Sequence, residues 1–391
     1  MRTVAVLLGT RPEAIKLAPV VQALRMAGWC EVRVIASGQH GTMFDDTLAA
    51  FSLVPDLLLQ ALRPGQSPAT LLAAILERLE PALQGEPKPD AIVVQGDTTS
   101  ALAGAMAGVY ARIPVVHVEA GMRTGDPDSP FPEEVNRTLI ADLARLHLAT
   151  TPLCAANLLR EGVDPATVYV TGNTVVDALH AVDIESIRLT GPLAYLENAE
   201  VPVVLATAHR RESWGEGIAN IAQAIADVAA RNPHVQFVVP LHPNPAVRAS
   251  MEPPLSGLAN VRTLEPLPYL PFCRLIARST VVLTDSGGVL TEAATFGTPV
   301  LIARDTTEQP EAIQSGTARL VGTDRTAIAE AIESQLQSAP TLGLVRRRSS
   351  VFGDGHAAVR VVSAIAELLG EGTRVMPFEP PVPVRPSTRG G

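Results

Sequence analysis

Short, almost unbroken apolar runs, each stopping abruptly at a polar or glycine-rich cluster, constrain this chain more than any other feature. They fall at Thr3–Leu8, Val32–Ala36, Ala91–Val94, Pro114–Val118, Leu146–Ala149 and Val168–Val170. The series restarts at Val201–Ala206, Val235–Val239, Thr280–Thr284 and Val300–Ala303. An apolar run without alternation reads as a strand buried on both faces, the usual state in a parallel sheet. Between the runs lie segments with helical spacing: Ile15 to Leu24, Pro68–Leu83, the alanine-rich Ser100–Ala111, Glu133–Leu146, Pro152–Arg160, Ile218–Ala230 and Gly355–Leu369. Such alternation predicts an α/β fold of two Rossmann-like, doubly wound domains facing a cleft. The expected boundaries are 1–175 for the first domain and 201–354 for the second, with a weakly patterned linker region at 176–200. The Pro-, Arg- and Gly-rich tail 371–391 is expected to be disordered.

Composition narrows the function classes. Hydrophobic residues make up 47% of the 391 positions, enough to bury two cores, and the net charge of −9 argues against a nucleic-acid partner. Cys30, Cys154 and Cys273 lie far apart with no CxxC spacing, so they read as buried thiols of a cytoplasmic protein. No stretch reaches the roughly 18 apolar residues of a membrane span. The run after Met1-Arg2 breaks at Gly9-Thr10-Arg11, too soon for the apolar region of a signal peptide. The histidines show no HxH or HExxH spacing, so no metal site is expected.

The chemistry gathers where the apolar runs end. Gln95-Gly96-Asp97-Thr98 closes the third run, and His117-Val118-Glu119-Ala120-Gly121 overlaps the end of the fourth. Glu133 and Glu134 follow Pro130-Phe131-Pro132 in the first turn of a helix, where the dipole favours carboxylates. Asp97, Glu119 and Glu133 thus fall on successive strand ends or loops, the edge at which a parallel sheet presents catalytic groups. Solvated turns and helix caps are the structural alternative for each taken alone.

Cationic and backbone donors gather at other strand ends. Thr10-Arg11-Pro12-Glu13 reads as a capping box opening a helix, with Arg11 beside its N-terminus and Lys16 one turn in. The chain has 29 arginines and two lysines, Lys16 and Lys88. A lysine surviving in that background suits a phosphate contact or a proton relay, with an ion pair to Glu13 as the alternative. His209-Arg210-Arg211-Glu212 ends a strand of the second half. Asp285-Ser286-Gly287-Gly288 ends another, with Ser286 as a cap and Glu292 one turn along the helix. Carboxylates for moving a proton at carbon, together with donors for a departing diphosphate, point to elimination and re-addition, transfer or hydrolysis.

Read in order, these motifs resemble the non-hydrolysing UDP-N-acetylglucosamine 2-epimerases. The match runs from Gly9–Lys16 through Gly96–Thr99, His117–Gly121, Pro132–Glu134, Gly172–Thr174, His209–Glu212, Asp285–Gly288 and Arg304–Glu308 to Gly353–Gly355. The resemblance implies a GT-B-like fold whose last helix, about 355–370, crosses back to the first domain. It implies a homodimer that interconverts UDP-GlcNAc and UDP-ManNAc through 2-acetamidoglucal and bound UDP, without cofactor or metal, supplying ManNAc units for cell-surface polysaccharide. It assigns Asp97, Glu119 and Glu133 to acid–base work and His209 to the diphosphate. Arg11, Lys16, Phe272, Ser286, Gly287, Gly288 and Glu292 would bind UDP. Gln39, Gln66, Arg210 and His242 resemble an activator pocket of some bacterial members, although Gly41 and Thr42 replace bulkier polar residues there. Leu267 and Gln309 also depart from the Gln and Arg usual at those places. The competing readings are a hydrolysing 2-epimerase, an epimerase of a related UDP-sugar, a GT-B glycosyltransferase and a non-catalytic nucleotide-sugar sensor.

Overall fold

The computed structural model describes residues 1–38, 42–63, 65–210, 213–338 and 351–381. The chain divides into two compact units. One comprises Met1–Ile187 with Pro268–Cys273 and Gly353–Phe378, and the other is built from Arg188–Leu267 and Arg274–Phe352.

The first unit holds a seven-stranded sheet in the order β3-β2-β1-β4-β5-β6-β7. Its strands are β1 (Arg2–Leu8), β2 (Cys30–Ala36), β3 (Leu57–Leu58), β4 (Ala91–Gln95), β5 (Val115–Ala120), β6 (Leu146–Ala149) and β7 (Val168–Val170), and all pair in parallel. The second unit holds six parallel strands in the order β10-β9-β8-β11-β12-β13. These are β8 (Val203–Thr207), β9 (Gln236–Pro240), β10 (Val261–Leu264), β11 (Val281–Thr284), β12 (Val300–Ile302) and β13 (Ala318–Leu320). Each sheet reverses its winding once, between β1 and β4 and between β8 and β11. Loops diverge at such a reversal, leaving a crevice outside the carboxyl ends of the strands. Helices cover the sheets, which is why Val4–Leu8, Ala91–Val94 and Val203–Leu205 are all essentially inaccessible.

Two boundary expectations need correction. Most of the expected linker 176–200 is built into the units. The helix Thr174–His180 buries Val176, Ala178 and Leu179 in the first unit, and the 3-10 segment Gly191–Glu197 buries Leu193 and Leu196 in the second. The part of the expected tail up to residue 381 is not loose. The Phe378 amide donates to Val170 O at 2.9 Å, its ring is 3% exposed, and Tyr169 Oη donates to Val375 O. One aromatic anchor and an edge-strand hydrogen bond override a composition that favours disorder. Residues 382–391 lie outside the described residues.

The helix expected near 355–370 spans Ala357–Leu369 and packs against the helices Arg11–Met26 and Thr174–His180 of the first unit. Its N-cap, His356, makes no side-chain cap bond. Asp177 supplies the cap from outside the helix: Oδ2 accepts the Ala357 N–H at 3.1 Å and Oδ1 the Ala358 N–H at 2.8 Å. Burial raises its pKa from 3.8 to about 6, against the pull of those two bonds. The folded state therefore binds this proton more readily than the unfolded chain. The stability it adds is present at low pH and is lost as pH rises from 3.8 through about 6. Asp177→Asn is expected to remove that slope. It should also cost roughly 1–3 kcal/mol, because the amide NH2 would face one of the helix N–H donors. Urea denaturation on either side of the window checks both effects.

Candidate active site

In the first unit, Glu119 ends β5 with φ of +65°, and the pairing of β5 with β6 shifts register between Val118 and Ala120. A non-glycine residue held in the left-handed region costs on the order of 1–3 kcal/mol, so its surroundings must fix it there. They do so through the carboxylate. Lys16 Nζ donates to Oε1 at 2.7 Å and to Oε2 at 2.5 Å, Asn173 Nδ2 donates to Oε1 at 3.0 Å, and Gln95 Nε2 donates to Oε2. Two residues on, Gly121 has φ of +88°, and a Cβ there would run into the Cys154 carbonyl oxygen. Bulge and glycine together aim Glu119 off the sheet edge.

Lys16 is thus not paired with Glu13. The buried Glu13 carboxylate accepts the Gly9 and Thr10 N–H groups and the Thr98 hydroxyl, completing the capping box read from sequence. Burial raises its pKa to about 7, with the Thr10 and Thr98 bonds opposing. Arg11 lies half-buried in the first turn of that helix and has no ion-pair partner among the described residues.

Asp97 follows Gly96 at the end of β4, beside β5. Arg137 Nη2 lies 2.6 Å from Asp97 Oδ2, and Asn136 Nδ2 donates to the Asp97 carbonyl at 2.8 Å. His117 Nε2 donates to Gly96 O at 2.7 Å, and burial lowers the His117 pKa to about 3, so the ring is a neutral structural donor. Glu133, half-buried, opens the helix Glu133–Leu143 that also carries Asn136 and Arg137. Glu134 faces elsewhere. Its buried carboxylate accepts the N–H groups of Thr124 and Gly125 at 3.0–3.1 Å and lies 3.4 Å from Arg137 Nη1. Asp97, Glu119 and the start of the Glu133 helix therefore converge at one edge of the first sheet. A cavity of about 470 Å³ opens beside the Glu134 clamp, lined by Arg123, Leu139, Asn157 and Glu161 among others, but none of the three acids forms its walls.

In the second unit, β8 leads to His209 and β11 to Asp285, on the two sides of the winding reversal. The buried Asp285 carboxylate accepts the backbone N–H groups of His209 at 2.7 Å and Arg210 at 2.8 Å, and His209 Nδ1 lies 3.4 Å from Asp285 Oδ1. The His209 ring stacks on His242 at 5.4 Å between centroids. Ser286 is the N-cap of the helix Gly287–Phe296 by position only. Its side chain makes no cap bond, contrary to expectation, and its own N–H donates to Thr284 Oγ1. A Cβ on Gly287 would come within 2.8 Å of Glu308 Oε1 and 3.0 Å of Gln309 Nε2, so a larger residue would push those side-chain ends aside. Gly288 is exposed, and a Cβ there would meet only the Ser286 hydroxyl, at 3.9 Å. Glu292 lies buried on the same helix, and Phe272 is buried on the helix Tyr269–Arg278.

Of the two departures from the resembled pattern, Gln309 gains a local account. Gln309 is buried, accepting from Thr291 Oγ1 at 2.8 Å and donating to Gly287 O at 3.2 Å, so it braces the helix N-terminus. Leu267 is half-buried. Of the resembled activator residues, Gln66 accepts the Arg63 N–H at 2.8 Å, and Arg210 Nη2 lies 3.5 Å from Glu308 Oε1. His242 accepts the Asn244 N–H at 3.2 Å. Gln39 and Gly41 lie outside the described residues, as do Arg211 and Glu212. The sequence reading missed Gln95, Asn173, Asn136 and Arg137. The available signals were a glutamine closing an apolar run, the place of Asn173 in the Gly172–Thr174 motif, and an arginine three residues after Glu134.

No group of three or more His, Cys, Asp or Glu side chains suited to a metal occurs among the described residues, and no helix among them is long and apolar enough to cross a membrane.

Two Rossmann-like units with acids at one sheet edge and an Asp–His–glycine cluster at the other define a class: α/β proteins with the two-domain fold of certain glycosyltransferases. The glycosyltransferase SnogD from Streptomyces nogalater, 18% identical, shares that fold with a TM-score of 0.52 over 94% of this chain and 96% of its own. The family model described as UDP-N-acetylglucosamine 2-epimerase matches residues 22–366. The UDP-N-acetylglucosamine 2-epimerase of Salmonella typhimurium is 44% identical over 364 residues, which is 91% of this chain and 96% of that protein. The crystal structure of UDP-GlcNAc 2-epimerase from Neisseria meningitidis bound to UDP-GlcNAc superposes with a TM-score of 0.87 at 39% identity, covering 94% of this chain and all of that one. The chain belongs to the UDP-N-acetylglucosamine 2-epimerase family, a family of isomerases.

Proposed function

We propose that this chain interconverts UDP-GlcNAc and UDP-ManNAc by eliminating UDP and adding it back. A carboxylate takes the proton from C2 of the sugar as the C1–O bond to UDP breaks. The C–H electron pair becomes the C1–C2 double bond of 2-acetamidoglucal, and the bond electrons to C1 leave with UDP. A proton then returns to C2 on the opposite face while UDP re-forms its bond at C1. Asp97, Glu119 and Glu133 carry the proton traffic. His209 stabilises the departing diphosphate. Arg11, Phe272, Ser286, Gly287, Gly288 and Glu292 hold UDP, and Lys16, bound to Glu119, keeps a cation beside the acids. We place the enzyme in the cytoplasm as a homodimer that feeds ManNAc units to cell-surface polysaccharide.

The observation that carries this reading is the Glu119 carboxylate, kept at a strained strand end by Lys16, Gln95 and Asn173. A fold that needed only a solvated turn there would not bury an acid, a cation and two amides together. Incubation with UDP-GlcNAc should give UDP-ManNAc as the new sugar nucleotide, with no free ManNAc. Release of free ManNAc would replace this reading with hydrolysis, and an unchanged substrate would remove it.

A further inference from the structure

We propose that Arg137 is a positioning residue for Asp97, an inference that rests on the proton-transfer role just given to Asp97. Its guanidinium is 4% exposed, whereas the Asp97 side chain is 28% exposed. It meets one oxygen of Asp97, Oδ2, at 2.6 Å. The shortest contact is to Oδ2, and a side chain 28% exposed remains open to a substrate. Glu119 is more enclosed: Lys16, Gln95 and Asn173 donate to its two oxygens, and its side chain is 6% exposed. The other side of the guanidinium is 3.4 Å from Glu134, whose carboxylate is itself fixed by the Thr124 and Gly125 N–H groups. One step back along the helix, Asn136 holds the Asp97 carbonyl. A single turn, Glu133 to Arg137, thus carries one candidate proton carrier and fixes the backbone and carboxylate of another.

A buried ion pair is a weak device for stability, since desolvation offsets most of its attraction. It serves orientation, because a guanidinium held between Asp97 on one side and Glu134 on the other limits where the Asp97 carboxylate can sit. Misplacing a reacting group by about 1 Å costs on the order of 100-fold in rate. The turn therefore serves the geometry of Asp97 more than the energy of the fold.

The test measures turnover of UDP-GlcNAc, and C2 deuterium uptake in D2O, for the full chain and four variants. Arg137→Met is expected to lower kcat about 100-fold while KM stays within about threefold. Arg137→Lys, which keeps the charge without the fork, should recover about tenfold of that loss. Asp97→Asn/Arg137→Met should be no slower than Asp97→Asn alone, because a residue acting only through Asp97 has nothing further to lose. The double variant removes both charges, so it provides the readout even if Arg137→Met alone does not fold. A double variant clearly slower than Asp97→Asn would overturn the proposal. So would Arg137→Met with wild-type kcat, or with a loss confined to KM. Absence of deuterium uptake by the wild-type chain would instead overturn the proposed reaction itself.

Discussion

Glu119→Gln is expected to abolish measurable epimerisation, a loss of roughly 10²–10⁴-fold for removal of an acid–base group, and to weaken the fold. The Glu119 side chain is 6% exposed and that of Lys16 15%, with their charges 2.5 Å apart. An amide in place of the carboxylate leaves the ammonium without its counter-charge. It also turns an NH2 group toward one of the donors Gln95 and Asn173. Breaking a buried pair from one side costs roughly 3–5 kcal/mol, so the urea midpoint should fall sharply. Glu119→Gln/Lys16→Met separates the two losses. It should return stability to within about 1 kcal/mol of the wild-type chain, since removing both charges is often nearly neutral, and it should remain inactive. A single variant as stable as wild type would show that the pair is not the anchor of this strand end.

Asp97→Asn should cost a similar factor in turnover, roughly 10²–10⁴-fold, with little loss of stability. The asparagine oxygen can still face Arg137, and Arg137 keeps Glu134 as a counter-charge. Asp97 is not among the residues assigned to UDP, so UDP affinity by calorimetry should hold. The expected profile is an intact melt, intact UDP binding and lost turnover. An Asp97→Asn enzyme turning over at the wild-type rate would remove Asp97 from the mechanism. The contrast with Glu119→Gln follows from burial: one carboxylate is sealed among donors, the other half-open.

The central strands were legible because burial on both faces leaves no polar residue in the run, as in Val4–Leu8 and Val203–Leu205. The edge strands were not. Leu57–Leu58 is two residues long and exposed, and Val261–Leu264 carries exposed Arg262 and Thr263, so neither offers a continuous apolar pattern. The Thr10–Glu13 capping box was readable because both partners are local in sequence. The Lys16–Glu119 pair was not, since it joins residues 103 apart and the nearer Glu13 offered itself as a partner. Asp97 and Glu119 stood out because a carboxylate ending an apolar run is conspicuous. Gln95, Asn173 and Arg137 did not, because amides and one more arginine carry no pattern until the strands bring them together. The segment 371–381 misled in the opposite sense: its composition speaks for disorder, while the buried ring of Phe378 fixes it.

The central claim is that protein carboxylates exchange the hydrogen at C2 of a UDP-sugar while UDP leaves and returns. Its most direct test is incubation of the full chain with UDP-GlcNAc in D2O, with C2 followed by NMR. Deuterium should enter C2 of both UDP-GlcNAc and UDP-ManNAc at a rate comparable to their interconversion, and uptake should fail in Asp97→Asn. Interconversion with C2 hydrogen fully retained would contradict the account.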